Sequence, residues 1–552
     1  MSQILIVGSG PSGLVLALSL LRNGVPVRVI EKSTTHRVGQ RGAGLMPRSI
    51  EIFESLGILD QVMARSIPLP AFKMYKMPEG VEVAKEFSAS PHVDPTPSEP
   101  YLNPRILGQD NLDKIIRAEL EKLGCFVELG MELKSLEQKE DRVRVQILKH
   151  DLNDEAAAPQ EEEAEYKWVV GADGARGAVR KLLGLSYLGE TTEQRMVTGD
   201  ILVDGLSQEY WHVWGDITKL MISIRPSERE KLFNFIISGN NIDINEVAAD
   251  HVLLKQLLKQ GTGNREDIEW GNIICAWPYK VSVRMVDYFQ KGRVFVAGDA
   301  AHIHSPTGGQ GMNTGVQDAY NLAWKLALVA NGKAPESLLD TYHEERHPVV
   351  SEMLSITTRL LKKTVTDGSS QEAWDRSGQV HQLGVNYRAS PIVLDEDSER
   401  TGVDRAAGSR YTVEPGSPVH AGDRAPDASG LFVLGNEVCG PTRLFKLFNP
   451  TRHTVLIFSN RVEFTQEIGS LLATYSSDSV LAIVVIQTGE TRPVPSTFSG
   501  IVVEDRCMFA DSAYKGPSRT SGIFVIRPDG FVGARFGGVE GLQRYFQGVF
   551  KG

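Results

Sequence analysis

The chain has 552 residues, 41% of them hydrophobic, enough for about three domains and more than one buried core. Its net charge of -10 and pI of about 5.7, with no basic block or stripe, argue against a nucleic-acid-binding surface. No stretch reaches membrane-spanning length, and the apolar N-terminal run lacks a basic segment before it and is broken by glycines, so a soluble, cytoplasmic protein without a signal peptide is expected. Cys125, Cys275, Cys439 and Cys507 show no CxxC or metal-ligand spacing, so reduced packing thiols and no metal site are expected.

In chain order, the run Ile4-Leu-Ile-Val7 reads as a strand and is followed by Gly8-Ser-Gly10-Pro-Ser-Gly13, an apolar helix over Leu14 to Leu21, and a second strand, Val27-Arg-Val-Ile30, ending at Glu31. This is a βαβ unit for a dinucleotide. Gly8 permits the tight turn, Gly10 lets a pyrophosphate lie on the backbone, Gly13 lets the helix pack on the strand, and Glu31 sits where an acid accepts from an adenosine ribose. After Gln40-Arg41, a helix is expected from Ser49 to Leu56. Prolines and short extended pieces from Pro68 to Pro104 read as an excursion from the core sheet. Helix returns at Asp110 to Leu123, and Phe126 to Leu129 and Val143 to Leu148 read as strands. The acidic, alanine-rich stretch Asp151 to Glu165 reads as a mobile loop.

Lys167 to Val170 is a strand running into Gly171-Ala-Asp173-Gly174, a second cofactor loop. From 187 to 285 apolar and polar residues alternate in short runs, the pattern of an antiparallel sheet inserted into the cofactor domain, with a substrate cleft between the two. The strand Val294 to Ala297 then leads into Gly298-Asp299, a glycine-rich loop to Gly315, and a helix over Val316 to Val329. A carboxylate at this strand tip can accept from sugar or polyol hydroxyls, and the new helix offers free N–H groups. Helix is expected from Glu336 to Leu361 and a polar, turn-rich linker from Thr364 to about Asp423. The remainder, with strands at His453 to Phe458 and Leu481 to Ile486 around a helix, then a hairpin over Ile523 to Val532, suggests a small thioredoxin-like α/β domain. Without a CxxC, its expected role is packing or dimer formation.

Gly8-x-Gly10-x-x-Gly13, Asp173-Gly174 and Gly298-Asp299 occur in the order and spacing of the single-component (class A) flavoprotein aromatic hydroxylases, the group of p-hydroxybenzoate, phenol and polyketide-tailoring hydroxylases, which the chain resembles over roughly residues 1 to 350. The resemblance implies an α/β fold: a Rossmann-like FAD-binding domain (1–67, 105–186 and 286–350), an inserted antiparallel β-sheet substrate domain (68–104 and 187–285), a helical segment and linker (351–422) and a thioredoxin-like C-terminal domain (423–552). It places Gly8, Gly10, Ser12, Gly13, Glu31, Lys32, Gln109, Asp173, Asp299 and Gly308 around FAD. Arg41 falls near the pyrophosphate and the nicotinamide access path, Pro306 has its carbonyl facing the flavin ring, and Gly311, Met312 and Asn313 present backbone amides to the pyrimidine edge. One position departs from the pattern: Gly177 stands where the family often has serine, which bears on nicotinamide docking.

There is no second glycine fingerprint, so NADPH or NADH is expected to visit the flavin transiently. The resemblance implies that reduced flavin reacts with O2 to give a C4a-hydroperoxide, which hydroxylates a phenolic or polyketide-like aromatic substrate. Epoxidation, Baeyer–Villiger insertion, hydride transfer without oxygen cleavage and a non-catalytic FAD-binding role are the competing readings. Tyr210 and His212, in the inserted sheet, are the candidate side chains to assist the substrate, with Tyr279 and Arg284 further along. Tyr187, Trp211 and Trp214 could line an aromatic pocket, while His302 and His304 suit loop packing better than metal binding.

Overall fold

The computed structural model describes residues 2–551 apart from 155, 217–218, 241, 306–307, 367–373, 403, 406, 414–416, 436–439, 490–497 and 516–521. Its N-terminal sheet has the order Gln290–Lys291, Val294–Val296, Trp168–Gly171, Ile4–Val7, Val27–Glu31, Val127–Leu129, parallel throughout except for the antiparallel edge strand Gln290–Lys291. The three central strands read as continuous apolar runs because every residue of Ile4–Val7, Trp168–Gly171 and Val294–Val296 is buried. The helices Pro11–Arg22 and Gln310–Ala330 each begin directly after a glycine turn of this layer. Among the described residues no helix is long and apolar enough to cross a membrane.

The expected loop at 151–165 is in part a strand: Gln160–Tyr166 pairs antiparallel with Val143–Lys149, which pairs in turn with Met131–Gln138. Its glutamates are matched by cations instead of buried. Glu162 accepts from Arg28, Glu161 from Lys134 at 2.5 Å and Glu165 from Arg142 at 2.9 Å. The charge run that resembles a solvated loop is therefore a salt-bridged strand with paired carboxylates on both faces.

A second, eight-stranded sheet, with Val83–Phe87 at one edge, draws on three separate stretches of chain, 71–87, 187–286 and 302–303. Ala71–Tyr75 pairs in parallel with Tyr210–Asp216, which continues through Leu220–Pro226, Leu232–Ser238, Tyr187–Asp204 and Glu269–Val286 to His302–Ile303. Side chains alternate between its faces. Val197, Ile201, Trp214, Ile222 and Phe235 pack beneath the helices Ile244–Ala249 and His251–Gly261. The opposite face, with Asp200, Trp211, Ser223, Arg225, Asn234 and Ile236, turns toward the N-terminal layer, where Asp200 accepts from Gln40 N at 2.7 Å.

The helix after Glu336–Asp340 runs unbroken over Thr341–Thr366. The stretch expected to be a linker is structured: Leu394–Asp395 joins the C-terminal sheet beside Val532–Phe536, and Asn386 bridges Asp423. That sheet has the order Leu394–Asp395, Val532–Phe536, Gly522–Ile526, His453–Phe458, Val480–Gln487, Ile501–Asp505, Leu431–Val433. His453–Phe458 and Val480–Gln487 are parallel, with Gly522–Ile526 antiparallel to the former. It is locked to the N-terminal half by a buried ionic cluster in which Arg527 donates to Glu345 at 2.7 and 2.9 Å and Trp324 donates to Asp529 at 3.2 Å.

Candidate active site

Two glycine loops meet at the top of the N-terminal sheet. Gly8 has φ 106°, and a Cβ there would lie 2.3 Å from the carbonyl oxygen of Ala172; a Cβ on Gly13 would lie 2.1 Å from that of Gly8. Ser12 Oγ would meet a Cβ on Gly298 at 2.4 Å and one on Gly315 at 2.3 Å, so the first helix and the Gln310–Ala330 helix cross at a contact only glycine allows. Neither helix has a side-chain cap at its start, which leaves the first N–H groups free. Gly10 faces open space bounded by the guanidinium of Arg37, 3.6 Å from where a Cβ would lie.

Glu31 accepts from Ser9 N at 3.0 Å, Ser9 Oγ at 2.9 Å and Ser33 N at 3.0 Å. Burial acts to raise its carboxyl, but the Ser33 and Ser9 donors outweigh burial and hold it below the ordinary value. Lys32, expected beside it, follows the last residue of the strand, and its exposed side chain donates to Glu132 at 2.6 Å. Arg37, which the sequence reading passed over, reaches Gln109 Oε1 at 3.4 Å, while Gln109 Nε2 donates to Gly42 O at 3.1 Å. Arg41 has φ 45°, and its guanidinium lies 5.4 Å from the Trp277 ring centre.

Asp173 turns back to accept from Val179 N at 3.0 Å, and a Cβ on Gly177 would sit 2.1 Å from Asp173 Oδ1. The glycine that departs from the family pattern is thus the residue that lets this carboxylate cap the following helix. Asp299, at the next strand tip, has an exposed side chain although protein surrounds it, because it faces the cleft; burial raises its carboxyl against the opposing pull of His302, Arg37 and Arg41. Its carbonyl accepts from Tyr187 Oη at 3.1 Å, and Arg180 stacks 3.8 Å from the Tyr187 ring while donating to Ala300 O at 3.2 Å. Tyr187 is therefore part of the loop's support, and Arg284 donates to its carbonyl at 3.2 Å.

Gly308 and Gly309 are both left-handed, with φ 92° and 64°, and lead into the helix that carries Gly311, Met312 and Asn313. Asn313 is fully buried: its Nδ2 donates to Gly309 O at 2.7 Å and Gly44 O at 2.8 Å, and its Oδ1 accepts from Met46 N at 2.9 Å. A Cβ on Gly311 would meet His304 Nε2 at 2.8 Å. Pro306 lies outside the described residues. Beneath this loop is a chain that sequence reading missed: Asp318 accepts from His302 at 2.7 Å, from Gly298 N at 3.0 Å and from Arg346 at 2.8 Å. Burial alone would raise the Asp318 carboxyl, but His302 and Arg346 bring it down to about 2. A lone acid in the apolar run Val316 to Val329 was the available signal.

Tyr210 and His212 point away from the cleft. His212 shares the face of Trp214, stacked at 5.7 Å, and bonds Tyr75 Oη at 2.7 Å and Ser207 O at 2.8 Å, while Tyr210 carries Lys73 over its ring at 3.4 Å. The alternation that puts Trp211 on the cleft face puts its two neighbours on the other. Trp211 stacks on Phe72 at 4.6 Å and donates to Ser223 Oγ at 2.6 Å. Arg225, 5% exposed, donates to Gln40 Oε1 at 3.2 Å and pairs with no carboxylate among the described residues. Tyr279 Oη reaches His304 O at 3.5 Å, which joins this face to the flexed glycine loop. No group of three or more metal-ligating side chains occurs among the described residues.

Burial lowers His212 and His304 to about 4 and His453 to about 3. Between these values and the ordinary histidine pKa of about 6.5 the unfolded chain binds more protons than the folded one, so stability falls as pH falls through that window. The melting temperature should drop between pH 6.5 and 4, with a weaker drop in His453→Phe; an equal slope would contradict the assignment.

A mostly parallel sheet with glycine loops at its strand ends is the arrangement that binds a dinucleotide, and similarity to known proteins says which one. The FAD-binding-domain family profile matches residues 1–357. A flavin-dependent monooxygenase from Mycobacteroides abscessus is 36% identical over 82% of this chain and 88% of its own, and pentachlorophenol 4-monooxygenase from Sphingobium chlorophenolicum is 30% identical over 83% and 80%. Among solved structures, the flavin-dependent monooxygenase PieE with FAD and substrate superposes with a TM-score of 0.82 over 99% of both chains at 21% identity. Aklavinone-11 hydroxylase with FAD and aklavinone gives 0.79 over 99% of this chain and 98% of that one, at 23% identity. The chain belongs to the FAD-binding family of class A flavoprotein monooxygenases, and is an FAD-dependent oxidoreductase with O2 and NAD(P)H as co-substrates.

Proposed function

We propose that the enzyme hydroxylates a phenolic or polyketide-like aromatic compound bound between the Gly308–Asn313 loop and the Trp211–Arg225 face of the second sheet. The single observation that carries this reading is the aromatic and cationic sheet face, with Trp211 beneath the Arg225 guanidinium at 5.6 Å, which Tyr279 joins to the glycine loop through His304 O at 3.5 Å. The residues present suit FAD. Glu31 is an acceptor for ribose hydroxyls, Gly10 and Arg37 leave room and charge for the pyrophosphate, and Asp299 opens an acceptor toward the ribityl chain. By the family resemblance, Arg41 lies near the nicotinamide access path and Asp173 serves the binding of both FAD and the nicotinamide. When bound and reduced by NAD(P)H, FAD activates O2 for transfer to carbon. The chain's own part is to exclude water, hold the ring and stabilise charge: free N–H groups at Gly311–Asn313 favour negative charge at the flavin's pyrimidine edge, by about 1 kcal/mol or more. Arg225 favours a phenolate, the form that pushes electron density to the attacked carbon.

This reading gains support from the relatives named for pentachlorophenol and 6-methylpretetramide. A screen of phenols and aromatic polyketides should find compounds that stimulate NADPH or NADH oxidation and gain one oxygen by mass; stimulation without an oxygenated product would contradict it. Arg225→Met should weaken binding of an active phenol by about tenfold to a hundredfold, the loss of a charged hydrogen bond, with FAD retained; an unchanged KM would place the phenol elsewhere. The C-terminal sheet we read as a thioredoxin-like unit that braces the FAD-binding half, a reading supported by the strand order and directions around His453–Phe458 and by the bonds of Arg527 to Glu345.

A further inference from the structure

The family match ends at residue 357, yet the loop turned toward the flavin is held from beyond it. Gly308 and Gly309 are consecutive left-handed residues, a turn with little intrinsic preference for one shape. Gln310 fixes it: its Nε2 donates to Gly308 O at 2.8 Å and to Val380 O at 2.8 Å. Gln310 Oε1 in turn accepts from Gln382 Nε2 at 2.8 Å, and the same nitrogen reaches Thr314 Oγ1 at 3.2 Å and Tyr411 Oη at 3.3 Å. Gln382 Oε1 accepts from Gln317 Nε2 at 2.6 Å. Gln382 is fully buried and itself left-handed, with φ 64°, a conformation costing about 1 kcal/mol for a residue with a side chain. A buried amide with every polar atom bonded specifies one geometry, because any displacement leaves a group unpaired.

We propose that Gln382 is a positioning residue for the flavin: through Gln310 it sets the Gly308–Gly309 turn, and so aims the N–H groups of Gly311–Asn313. This rests on the reading that the loop faces the flavin ring. The test uses the full-length holoenzyme and compares the flavin's visible spectrum and midpoint potential in wild type and in Gln382→Leu, which keeps the volume and removes the amide. The expected result is retained FAD, a shifted spectrum and a lower midpoint potential, since reduced flavin loses aligned donors. A folded, FAD-loaded Gln382→Leu with both readouts unchanged overturns the proposal, as does a lowered melting temperature without a spectral or potential change. If Gln382→Leu does not fold, Tyr411→Phe and Thr314→Val each remove one bond to Gln382; a shift in potential in both supports the proposal and none in either overturns it. Wild-type protein that does not bind FAD would instead overturn the underlying reading.

Discussion

Glu345→Ala should lower stability by about 3–5 kcal/mol, the cost of breaking a buried ion pair and leaving its cations unmatched. Glu345 accepts from Arg527 at 2.7 and 2.9 Å, Lys325 at 2.8 Å, Asn321 at 2.6 Å and Ser390 at 2.7 Å, and the Glu345, Lys325 and Arg527 side chains are sealed from solvent. Burial works against the carboxylate, yet Arg527 and Lys325 hold its pKa far below the usual range. The cluster ties the long helix Thr341–Thr366 and the Gln310–Ala330 helix to the C-terminal sheet, so its loss should separate the halves as well as weaken each. Chemical denaturation of wild type and variant measures the difference; a change under about 1 kcal/mol would mean that the cations find other partners.

Asp299→Ala should cost FAD binding about tenfold to a hundredfold in affinity, the equivalent of about 1–3 kcal/mol for polyol hydroxyls left without their acceptor in an enclosed cleft. The neighbouring Gly298 is held by Asp318, so the loop itself should survive the change. Titration of the apoprotein with FAD, followed by flavin fluorescence, reads the effect. Full occupancy with wild-type affinity would remove Asp299 from the proposed ribityl contact.

What was legible in the sequence follows from steric necessity. Gly8, Gly13, Gly298 and Gly315 stand where backbone or Ser12 approaches too closely for a Cβ, so their spacing reports a three-dimensional contact directly. Glu31 and Asp299 were legible because strand ends place acids at a sheet's edge. Residues whose role depends on register or on distant partners were not. A one-residue phase decides whether Trp211 or His212 sees the cleft, and a short alternating run does not mark its inner face. Asp318 and Arg346, or Gln310 and Gln382, are ordinary residues until the fold brings them together. The strand at Gln160–Tyr166 was hidden for a related reason: its glutamates balance cations contributed by other elements, and its own composition reads as solvated chain.

In the proposed reaction FAD places one atom of O2 on an aromatic ring. The direct measurement is turnover of a phenol that stimulates NAD(P)H oxidation, under isotopically labelled oxygen in unlabelled water, with mass analysis of the product. One labelled oxygen atom in the product is the predicted result; an unlabelled product, or turnover that continues without oxygen, would contradict it.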